Sequence, residues 1–414
     1  MGSNRGKKLV TAFLAGMFVM HAVLFWQLHD KLRVGYQDFT IFYSAGRILA
    51  SGLGPHLYDG DLQFRVQREF ASEVYIRQGP LPFNHPAFEA ALFVPFAKLP
   101  YFEAYLLWDL LNLLVLLALP LLLRRHVRLL QQAGTGFWLF VALSFFPVFV
   151  VLLQGQDVLL LLLLFALAYV AMKQRRDFAA GCWLGLGLFR FHAVLPFILI
   201  LLFRKKGRLL LGFVLVAAAL GFASIALLGW HEAITYITYL WRVENTTGLS
   251  SIVPSLMPNL RGLVDTLMPG QAPQVLRNAV IAILSLAALL LVARLWRSSD
   301  RGELLDLGFS LALLATLLAS YHAYEHDLSL LLLPMLLIAS RCPPNLPNLR
   351  KRWMLLAPML VLFLTPLHMV LFFHWDMACL LALVLLLWFW GMVREISQQS
   401  RNLELPSEGF PAAH

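Results

Sequence analysis

The sequence predicts an all-α polytopic membrane protein, and three observations lead to this fold class. The 414 residues are 60% hydrophobic and only 14% charged, with a mean hydropathy of +0.72. Uncharged runs such as 209–228 match the roughly 20 apolar residues that a spanning helix needs. Lys and Arg residues gather in short clusters between these runs. A water-soluble domain of this size does not have such a composition, so the bilayer is predicted to be the main solvent.

The basic clusters predict the orientation of the spans. Because positively charged loops stay in the cytoplasm, the clusters place both termini there. The expected location is a bacterial cytoplasmic membrane. They are not interleaved with aromatic side chains, so nucleic acid is not expected as a partner. The clusters are Arg5/Lys7/Lys8, Arg124/Arg125/Arg128, Lys173/Arg175/Arg176, Arg204/Lys205/Lys206/Arg208, Arg294/Arg297/Arg301, Arg341/Arg350/Lys351/Arg352 and Arg394/Arg401.

When the chain is traced through the membrane so that every basic cluster lies on the cytoplasmic side, it contains about 11–13 transmembrane or half-membrane helices. The first is predicted to be a retained span rather than a cleaved signal peptide. Residues 1–393 form the transmembrane domain, and 394–414 form a polar, loose cytoplasmic tail. The predicted spans lie near 9–28, 102–123, 137–153, 157–173, 208–229, 274–293, 303–320, 327–340, 353–373 and 377–393.

Two long segments are predicted to lie outside. The first, 29–100, has helical periodicity in Phe39/Phe42/Tyr43/Leu49 and in Leu62/Val66/Phe70/Val74, which indicates two amphipathic helices at the membrane surface. Its part 85–98 is too short to span and is predicted to be half-inserted. The second external segment, 230–273, contains an aromatic interfacial helix.

The segment 178–203 has basic clusters at both ends, so both ends are expected in the cytoplasm. These residues are too few to cross twice as full helices. We therefore predict a hairpin of two half-helices that meet near Arg190. Broken helices of this kind are tolerated where they line an enclosed or wet cavity.

Polar residues that are not basic gather on the external side, which predicts an extracytoplasmic active site because ionisable groups at membrane depth usually mark function. His85, Gln156, Asn259 and Arg261 are candidate substrate-binding residues, although His85 also fits a plain loop residue before Pro86. The external polar set is Asp38, Asp59, Asp61, His85, Gln154, Gln156, Asp157, Asn259, Arg261, His322, Glu325, His326 and Asp327.

Asp38 begins the first surface helix and has two interpretations. It can cap the helix N-terminus, a common role of Asp. It can also be a general base that takes a proton from an acceptor hydroxyl. Asp59 and Asp61, at the start of the second helix, are expected to be capping residues.

Arg190 and His192 lie where the two half-helices should meet. Arg can hold two phosphate oxygens at once, so a lipid phosphate is one possible partner, and a membrane acid or a lipid headgroup is the other. His322 and His326 share a predicted helical face. They do not form the His-Glu-x-x-His zinc pattern, because Glu325 directly precedes His326. Hydrogen bonding to phosphate or sugar, or interfacial packing, is expected there instead of a metal.

Several short motifs together resemble glycosyltransferase family 87, a family of polyprenol-phosphate-mannose-dependent mannosyltransferases within the C-type superfamily. The likeness covers most of the chain, and the order of the motifs carries it. They are Asp38-Phe-Thr-Ile-Phe-Tyr-Ser-Ala-Gly-Arg47, Gly54-Pro-His-Leu-Tyr-Asp59, Asn84-His-Pro86, Pro95 with Leu99-Pro100, Gln154-Gly-Gln156, Ala180-Gly-Cys-Trp-Leu-Gly-Leu-Gly187, Pro258-Asn-Leu-Arg-Gly262 and the His322/His326 segment.

The resemblance implies the C-type glycosyltransferase fold and an inverting single displacement with Asp38 as the base. Arg190 stands near the family's donor-phosphate residue, often Lys, where it keeps the charge but changes its geometry. With His192, His322 and His326 it would bind the donor phosphate. The expected partners are membrane lipid, a polyprenyl-phosphate sugar donor, with mannose as the sugar, and a lipid or glycan acceptor. No cofactor is expected, since the donor bond supplies the energy.

Two alternatives remain at this point. A membrane transporter would also use broken helices and charged residues at membrane depth, but it predicts inverted repeats and polar residues on both sides of the membrane. A glycan ligase would perform the same external chemistry on a larger polyprenyl-linked donor. The chain has no Walker loop and no Rossmann glycine pattern, so soluble nucleotide chemistry is not expected.

Overall fold

The computed structural model describes residues 2–35, 38–71, 81–132, 134–246, 252–268, 270, 272–296, 303–341 and 352–404, and these residues contain helices and no strand. The α-helices are α1 (Gly2–Gln27), α2 (His29–Arg33), α3 (Phe39–Ala50), α4 (Gly60–Phe70), α5 (Ala87–Phe93), α6 (Tyr101–Leu123), α7 (Arg128–Gln132), α8 (Thr135–Leu143), α9 (Phe146–Gln154), α10 (Val158–Lys173), α11 (Asp177–Leu186), α12 (Phe191–Phe203), α13 (Gly207–Leu228), α14 (Trp230–Asn245), α15 (Leu260–Leu267), α16 (Gln274–Trp296), α17 (Glu303–Ala319), α18 (Leu332–Ala339), α19 (Trp353–Leu362), α20 (Thr365–Met369) and α21 (Leu381–Glu404).

Several of these helices are long and apolar enough to cross a bilayer, which confirms the all-α polytopic membrane fold. These helical segments are Lys8–Gln27, Tyr101–Leu123, Gly207–Leu228, Gln274–Trp296 and Ala378–Arg401, and the equally apolar segment Asp177–Phe203 is broken by a 3₁₀ turn and is described below. Two bent pairs and the shorter apolar segments Val158–Lys173 and Leu304–Ala319 add to them. The chain is therefore a multi-pass membrane protein.

Two spans that the sequence predicts as straight are bent. α8 and α9 meet at 76°, and the pair Trp353–Leu362 and Thr365–His374 meets at 64°. Pro147 and Pro366 lie in the first turn after each break. Proline has no N–H to donate to the preceding turn and disfavours helix at the residue before it, so it ends one helix and begins the next.

The segment 177–203 folds back on itself. A Cβ at Gly181 would overlap the carbonyl oxygen of Leu209, and a Cβ at Gly212 would overlap that of Phe178. α11 and α13 therefore run side by side in the same direction. If 177–203 were straight, Gly181 and Phe203 would be about 33 Å apart, which the few residues from Phe203 to Leu209 could not bridge. The predicted hairpin corresponds to α11 and α12, joined by the 3₁₀ turn Gly187–Arg190.

Two hydrophobic cores support the helices. The larger one is rich in leucine and lies among α6, α10, α12, α17, α18 and α21. The second is aromatic and is formed chiefly by α3, α5, the start of α6 and α9, and it is called the aromatic cap below. α3 packs most of its side chains into this cap. α4 ends at Phe70, and the predicted contribution of Val74 lies outside the described residues.

The C-terminal segment differs from the predicted loose tail. α21 continues to Glu404, and Glu395 accepts a hydrogen bond from Arg352 at 3.0 Å. Ion pairs of this kind hold the basic ends of the helices together, as Lys173 and Asp306 also show at 2.5 Å. Residues 405–414 lie outside the described residues. The basic ends thus gather at one end of the bundle.

Candidate functional site

A cavity of about 390 Å³ lies at the other end of the bundle, between the aromatic cap and the tip of the hairpin. Most of the candidate residues line it. They are Asp38, His85, Gln156, Arg190, His192, His322 and His326, together with Gln154, Tyr324, Glu325 and apolar side chains such as Leu28, Phe149 and Phe372. A single chamber therefore unites groups that are distant in sequence.

Asp38 precedes α3 and is half-buried at the wall of this cavity. Within the described residues its side chain makes no capping hydrogen bond to α3. Its Oδ2 instead accepts a hydrogen bond from Gln156 Nε2 at 2.7 Å, and its backbone N–H donates to Gln154 Oε1 at 3.1 Å. The capping interpretation fits Asp59 instead, whose Oδ1 accepts from the backbone N–H groups of Asp61 and Leu62.

Gln156 connects the two sides of the cavity. Its amide nitrogen donates to Asp38, and its amide oxygen accepts a hydrogen bond from Arg190. The backbone carbonyl of Gln156 accepts from Trp108 Nε1 at 3.3 Å and from Asn112 Nδ2 at 3.2 Å. These bonds fix the turn between α9 and α10, which includes Gly155 in a left-handed conformation at φ 62°. Both ends of the Gln156 side chain are thereby oriented.

Arg190, at the tip of the hairpin, is the central cation of the site and is buried. Its Nε donates to Asp157 Oδ1 at 2.5 Å and its Nη1 to Asp327 Oδ1 at 2.8 Å. Nη1 also lies 3.3 Å from His326 Nε2. A buried guanidinium requires such partners, because an unpaired charge is costly away from water. The structural pairing considered from the sequence is therefore present, and Arg190 still lines the cavity.

His85, Glu89 and Asp157 form a second cluster at the cavity wall, where His85 lines the cavity and the two carboxyls lie behind it. His85 Nδ1 lies 2.8 Å from Glu89 Oε2, one helical turn along the chain. Burial lowers the pKa of His85 to about 4. Burial also raises the pKa of Glu89 well above its ordinary value, and the neighbouring Asp157 raises it further. The sequence interpretation missed Glu89, whose signal was a lone acid in an otherwise apolar helix four residues after His85.

The histidines from the second half of the chain do not share a helical face, contrary to prediction. His322 lies in a loop, whereas His326 lies in the 3₁₀ segment Glu325–Leu331. Burial lowers the pKa of His322 to about 4 and that of His326 well below its ordinary value. His192 Nδ1 lies 3.2 Å from Ser320 Oγ. The cavity thus brings these imidazoles together beside the Arg190 cation, and burial disfavours the charged forms of His322 and His326.

Asn259 and Arg261 are not among the side chains that line the cavity. Asn259 caps α15 by accepting from the Gly262 N–H, and its Nδ2 donates to the Ser320 carbonyl at 2.8 Å. Arg261 Nη1 donates to the Tyr321 carbonyl at 3.2 Å. The structure therefore places both residues behind the loop that carries His322, where they orient its backbone.

The sequence model of glycosyltransferase family 87 matches residues 83–320, which is more than half of the chain. The chain belongs to glycosyltransferase family 87. It is therefore a glycosyltransferase with a multi-pass membrane fold. The matched range includes His85, Gln156 and Arg190, whereas Asp38 and His326 lie outside it. Searches of curated proteins and of solved structures gave no match.

The site of this family 87 glycosyltransferase has the parts that a displacement requires. Asp38 is a carboxylate at the wall of a chamber, and Arg190 is a cation across Gln156 from it. A carboxylate within reach of a hydroxyl can accept its proton. A fixed guanidinium can stabilise a group that becomes negative.

Proposed function

We propose that this glycosyltransferase transfers a hexose, specifically mannose, from a polyprenyl-phosphate donor to a lipid or glycan acceptor at the extracytoplasmic face. One observation carries the proposal. Asp38 and Arg190 line the same cavity and hydrogen-bond to opposite ends of the Gln156 amide. The Gln156 side chain thus lies between the proton acceptor and the cation and contacts both.

The proposed reaction is a single displacement with inversion. An acceptor hydroxyl oxygen attacks the anomeric carbon while the bond from that carbon to the phosphate oxygen breaks. Asp38 takes the hydroxyl proton, and the electron pair of the broken bond leaves on the polyprenyl phosphate. Negative charge therefore moves from the Asp38 carboxylate towards the leaving phosphate. Hydrogen-bond donors beside that phosphate lower the activation barrier of the transfer.

The surroundings of the cavity support an amphiphilic donor. Its walls combine the polar set with apolar side chains, among them Leu28, Ile41 and Phe149. A lipid-linked sugar combines an apolar chain with a polar head, and these walls offer contacts for both parts. The polar groups at the cavity match a sugar and a phosphate, since hydroxyl and phosphate oxygens need hydrogen-bond partners.

The location of the site supports the extracytoplasmic side. The cavity lies at the opposite end of the bundle from the basic helix ends, such as Lys173 at the end of α10 and Arg204 after α12. Positively charged helix ends favour the cytoplasm. Mannose as the sugar, and a polyprenyl phosphate as its carrier, follow from the family resemblance.

The test is a transfer assay with purified protein in lipid nanodiscs. Radiolabelled polyprenyl-phosphate mannose and polyprenyl-phosphate glucose are offered separately, with bacterial membrane lipids as acceptors, and lipid products are separated by chromatography. We expect transfer from the mannose donor and little from the glucose donor. Transfer from a nucleotide sugar, or none from any lipid-phosphate sugar, would overturn the proposal.

A further inference from the structure

Three metal-ligating side chains converge beside the Arg190 cation. One nitrogen of His85 and one carboxylate oxygen each from Glu89 and Asp157 lie within 4.8 Å of one another. His85 and Glu89 are neighbours on adjacent turns of chain, whereas Asp157 comes from the distant α9–α10 turn. The fold thus brings one nitrogen and two oxygens to a common point.

Two oxygens of this cluster are buried without a hydrogen-bond donor. Glu89 Oε1 and Asp157 Oδ2 have no donor among the described residues, and the side chains of Glu89 and Asp157 are 1% and 2% exposed. Such atoms are costly unless something positive satisfies them. The Asp157 oxygen that binds Arg190 is the other one, Oδ1. The cluster therefore contains two buried carboxylate oxygens that no described donor satisfies.

The His85 ring can contribute a lone pair to the same point. Its Nδ1 lies 2.8 Å from Glu89 Oε2, so the two atoms share one hydrogen bond whose proton can sit on either of them. A metal ion that displaces this proton would take the Nδ1 lone pair, because a neutral imidazole can carry its N–H on the other nitrogen. One nitrogen and two carboxylates can then converge on the ion.

The charges nearby also call for a cation. Glu89, Asp157 and Asp327 are buried carboxyls that surround the single guanidinium of Arg190. With all three carboxyls ionised, the state that a bound metal ion would favour, the cluster carries two negative charges in excess of Arg190, next to a cavity that under the proposed function receives a phosphate. Buried charges require neutralisation, and a divalent cation supplies the missing two positive charges.

We propose that His85, Glu89 and Asp157 bind a divalent cation of the Mn²⁺ or Zn²⁺ class. A set of one imidazole and two carboxylates suits these ions better than Mg²⁺ or Ca²⁺, which prefer oxygen alone. Ligand atoms about 2.0–2.2 Å from such an ion are about 3–4 Å apart, so small side-chain movements suffice to close the site. Three protein ligands leave further coordination positions open.

The position of the ion suggests its use. His85 lines the cavity, whereas Glu89 and Asp157 lie behind it, so the ion is reached through the cavity. A phosphate oxygen of the donor could take an open coordination position beside Arg190. This role rests on the proposed function, but binding of the ion does not.

A shared proton is the competing explanation for the same cluster. One proton between Glu89 and Asp157 would also satisfy both vacant oxygens. It would add a single positive charge to the cluster, whereas a divalent ion adds two. The two explanations predict different results in a binding measurement. A metal site binds a divalent ion, whereas a pair of carboxyls that share a proton does not.

The experiment uses the full-length protein in nanodiscs after treatment with EDTA. Mn²⁺ is titrated and the free ion is followed by electron paramagnetic resonance, with Zn²⁺ as a competitor. Glu89→Gln is the decisive variant, because it keeps the shape of the side chain and makes no bond to Arg190. His85→Gln and Asp157→Asn accompany it. His56→Gln and Glu69→Gln, at exposed positions in the first external segment, are the matched controls.

We expect one tightly bound Mn²⁺ per chain, displaced by Zn²⁺ and weakened at least about tenfold by each of the three site substitutions. The two controls should bind Mn²⁺ like the unmodified protein. Mn²⁺ should also raise the melting temperature of the unmodified protein and not that of Glu89→Gln. Equal binding by Glu89→Gln, or no stoichiometric binding by the unmodified protein, would overturn the metal site and favour the shared proton.

Asp38→Asn separates this proposal from the proposed function. It should bind Mn²⁺ normally while it loses glycosyl transfer. If the unmodified protein binds Mn²⁺ but transfers no lipid-phosphate sugar, the metal site stands and the proposed donor fails. If it transfers the sugar fully after EDTA and binds no Mn²⁺, the donor stands and the metal site fails.

Discussion

Asp38 and Arg190 face the same cavity but are held there by different means. Asp38 is attached to the aromatic cap, and two glutamines hydrogen-bond to it while its side chain stays half-buried. Arg190 lies at the tip of a hairpin and is fixed by two buried carboxylates. The comparison teaches that neutral amides position the half-buried Asp38 carboxyl, whereas buried ion pairs hold Arg190, so that Arg190 cannot lose its charge without loss of structure.

The largest expected effect is the loss of glycosyl transfer when Asp38 is substituted. Asp38→Asn keeps the size of the side chain but removes the proton acceptor, so we expect transfer to fall about 10²–10⁴-fold with little change in melting temperature. Initial rates with the labelled donor and thermal melts in nanodiscs measure the two quantities. Asp59→Asn is the matched control, because Asn also caps helices. A rate that survives Asp38→Asn would remove Asp38 as the base.

Substitution of Arg190 should reduce the stability of the folded protein. Arg190→Gln leaves Asp157 and Asp327 without their cation, and breaking a buried pair in this way costs about 3–5 kcal/mol. We expect a large drop in melting temperature together with lost transfer. Arg47→Gln breaks the half-exposed pair with Glu69 at 2.9 Å and should cost about 0–1 kcal/mol. Equal melting temperatures for the two variants would contradict the contrast drawn above.

The support of the hairpin gives the next test. A Cβ at Gly181 meets the backbone of α13, so Gly181→Ala should destabilise the protein by about 1–3 kcal/mol and displace Arg190. Gly221, on α13 itself, has no atom within 4 Å of an added Cβ. Gly221→Ala should therefore be neutral. Thermal melts of both variants decide the matter, and similar behaviour would argue against close packing of α11 on α13.

The smallest effect concerns His322 and pH. Burial lowers its pKa to about 4 from the ordinary value of 6.5. As the pH falls from 6.5 towards 4, the unfolded chain binds a proton that the folded protein refuses, so stability is lost in this window. His322→Gln should flatten that loss in melting temperature, and the exposed His56→Gln should not. Parallel curves for all three proteins would show that His322 contributes nothing to the pH dependence.

The sequence predicted the spans well because the bilayer imposes long apolar helices and sorts basic residues to one side. The bends at Pro147 and Pro366 escaped prediction, since each proline lies inside a continuous apolar run. The loop at His322 was mistaken for helix. Its conformation depends on distant partners, such as Asn259, whose amide donates to the Ser320 carbonyl.

The candidate site was foreseen only in part. Asp38 and Arg190 stood out because the resemblance places functional groups there, and the cavity unites them. Glu89 was overlooked, because a single acid in a short external helix has the sequence pattern of a solvated residue. Only the fold shows that it is buried against Asp157. Contacts between side chains far apart in sequence cannot be derived from periodicity or charge alone.

The pairing of Arg190 with Asp327 also bears on how the protein is made. The two residues are separated by 137 positions, so the hairpin enters the membrane well before its second carboxylate has been synthesised. Until then Arg190 has only the earlier Asp157 as a counter-ion. A nascent chain truncated before residue 327 should therefore hold the hairpin loosely, and completion of the reaction chamber is a late step in biogenesis.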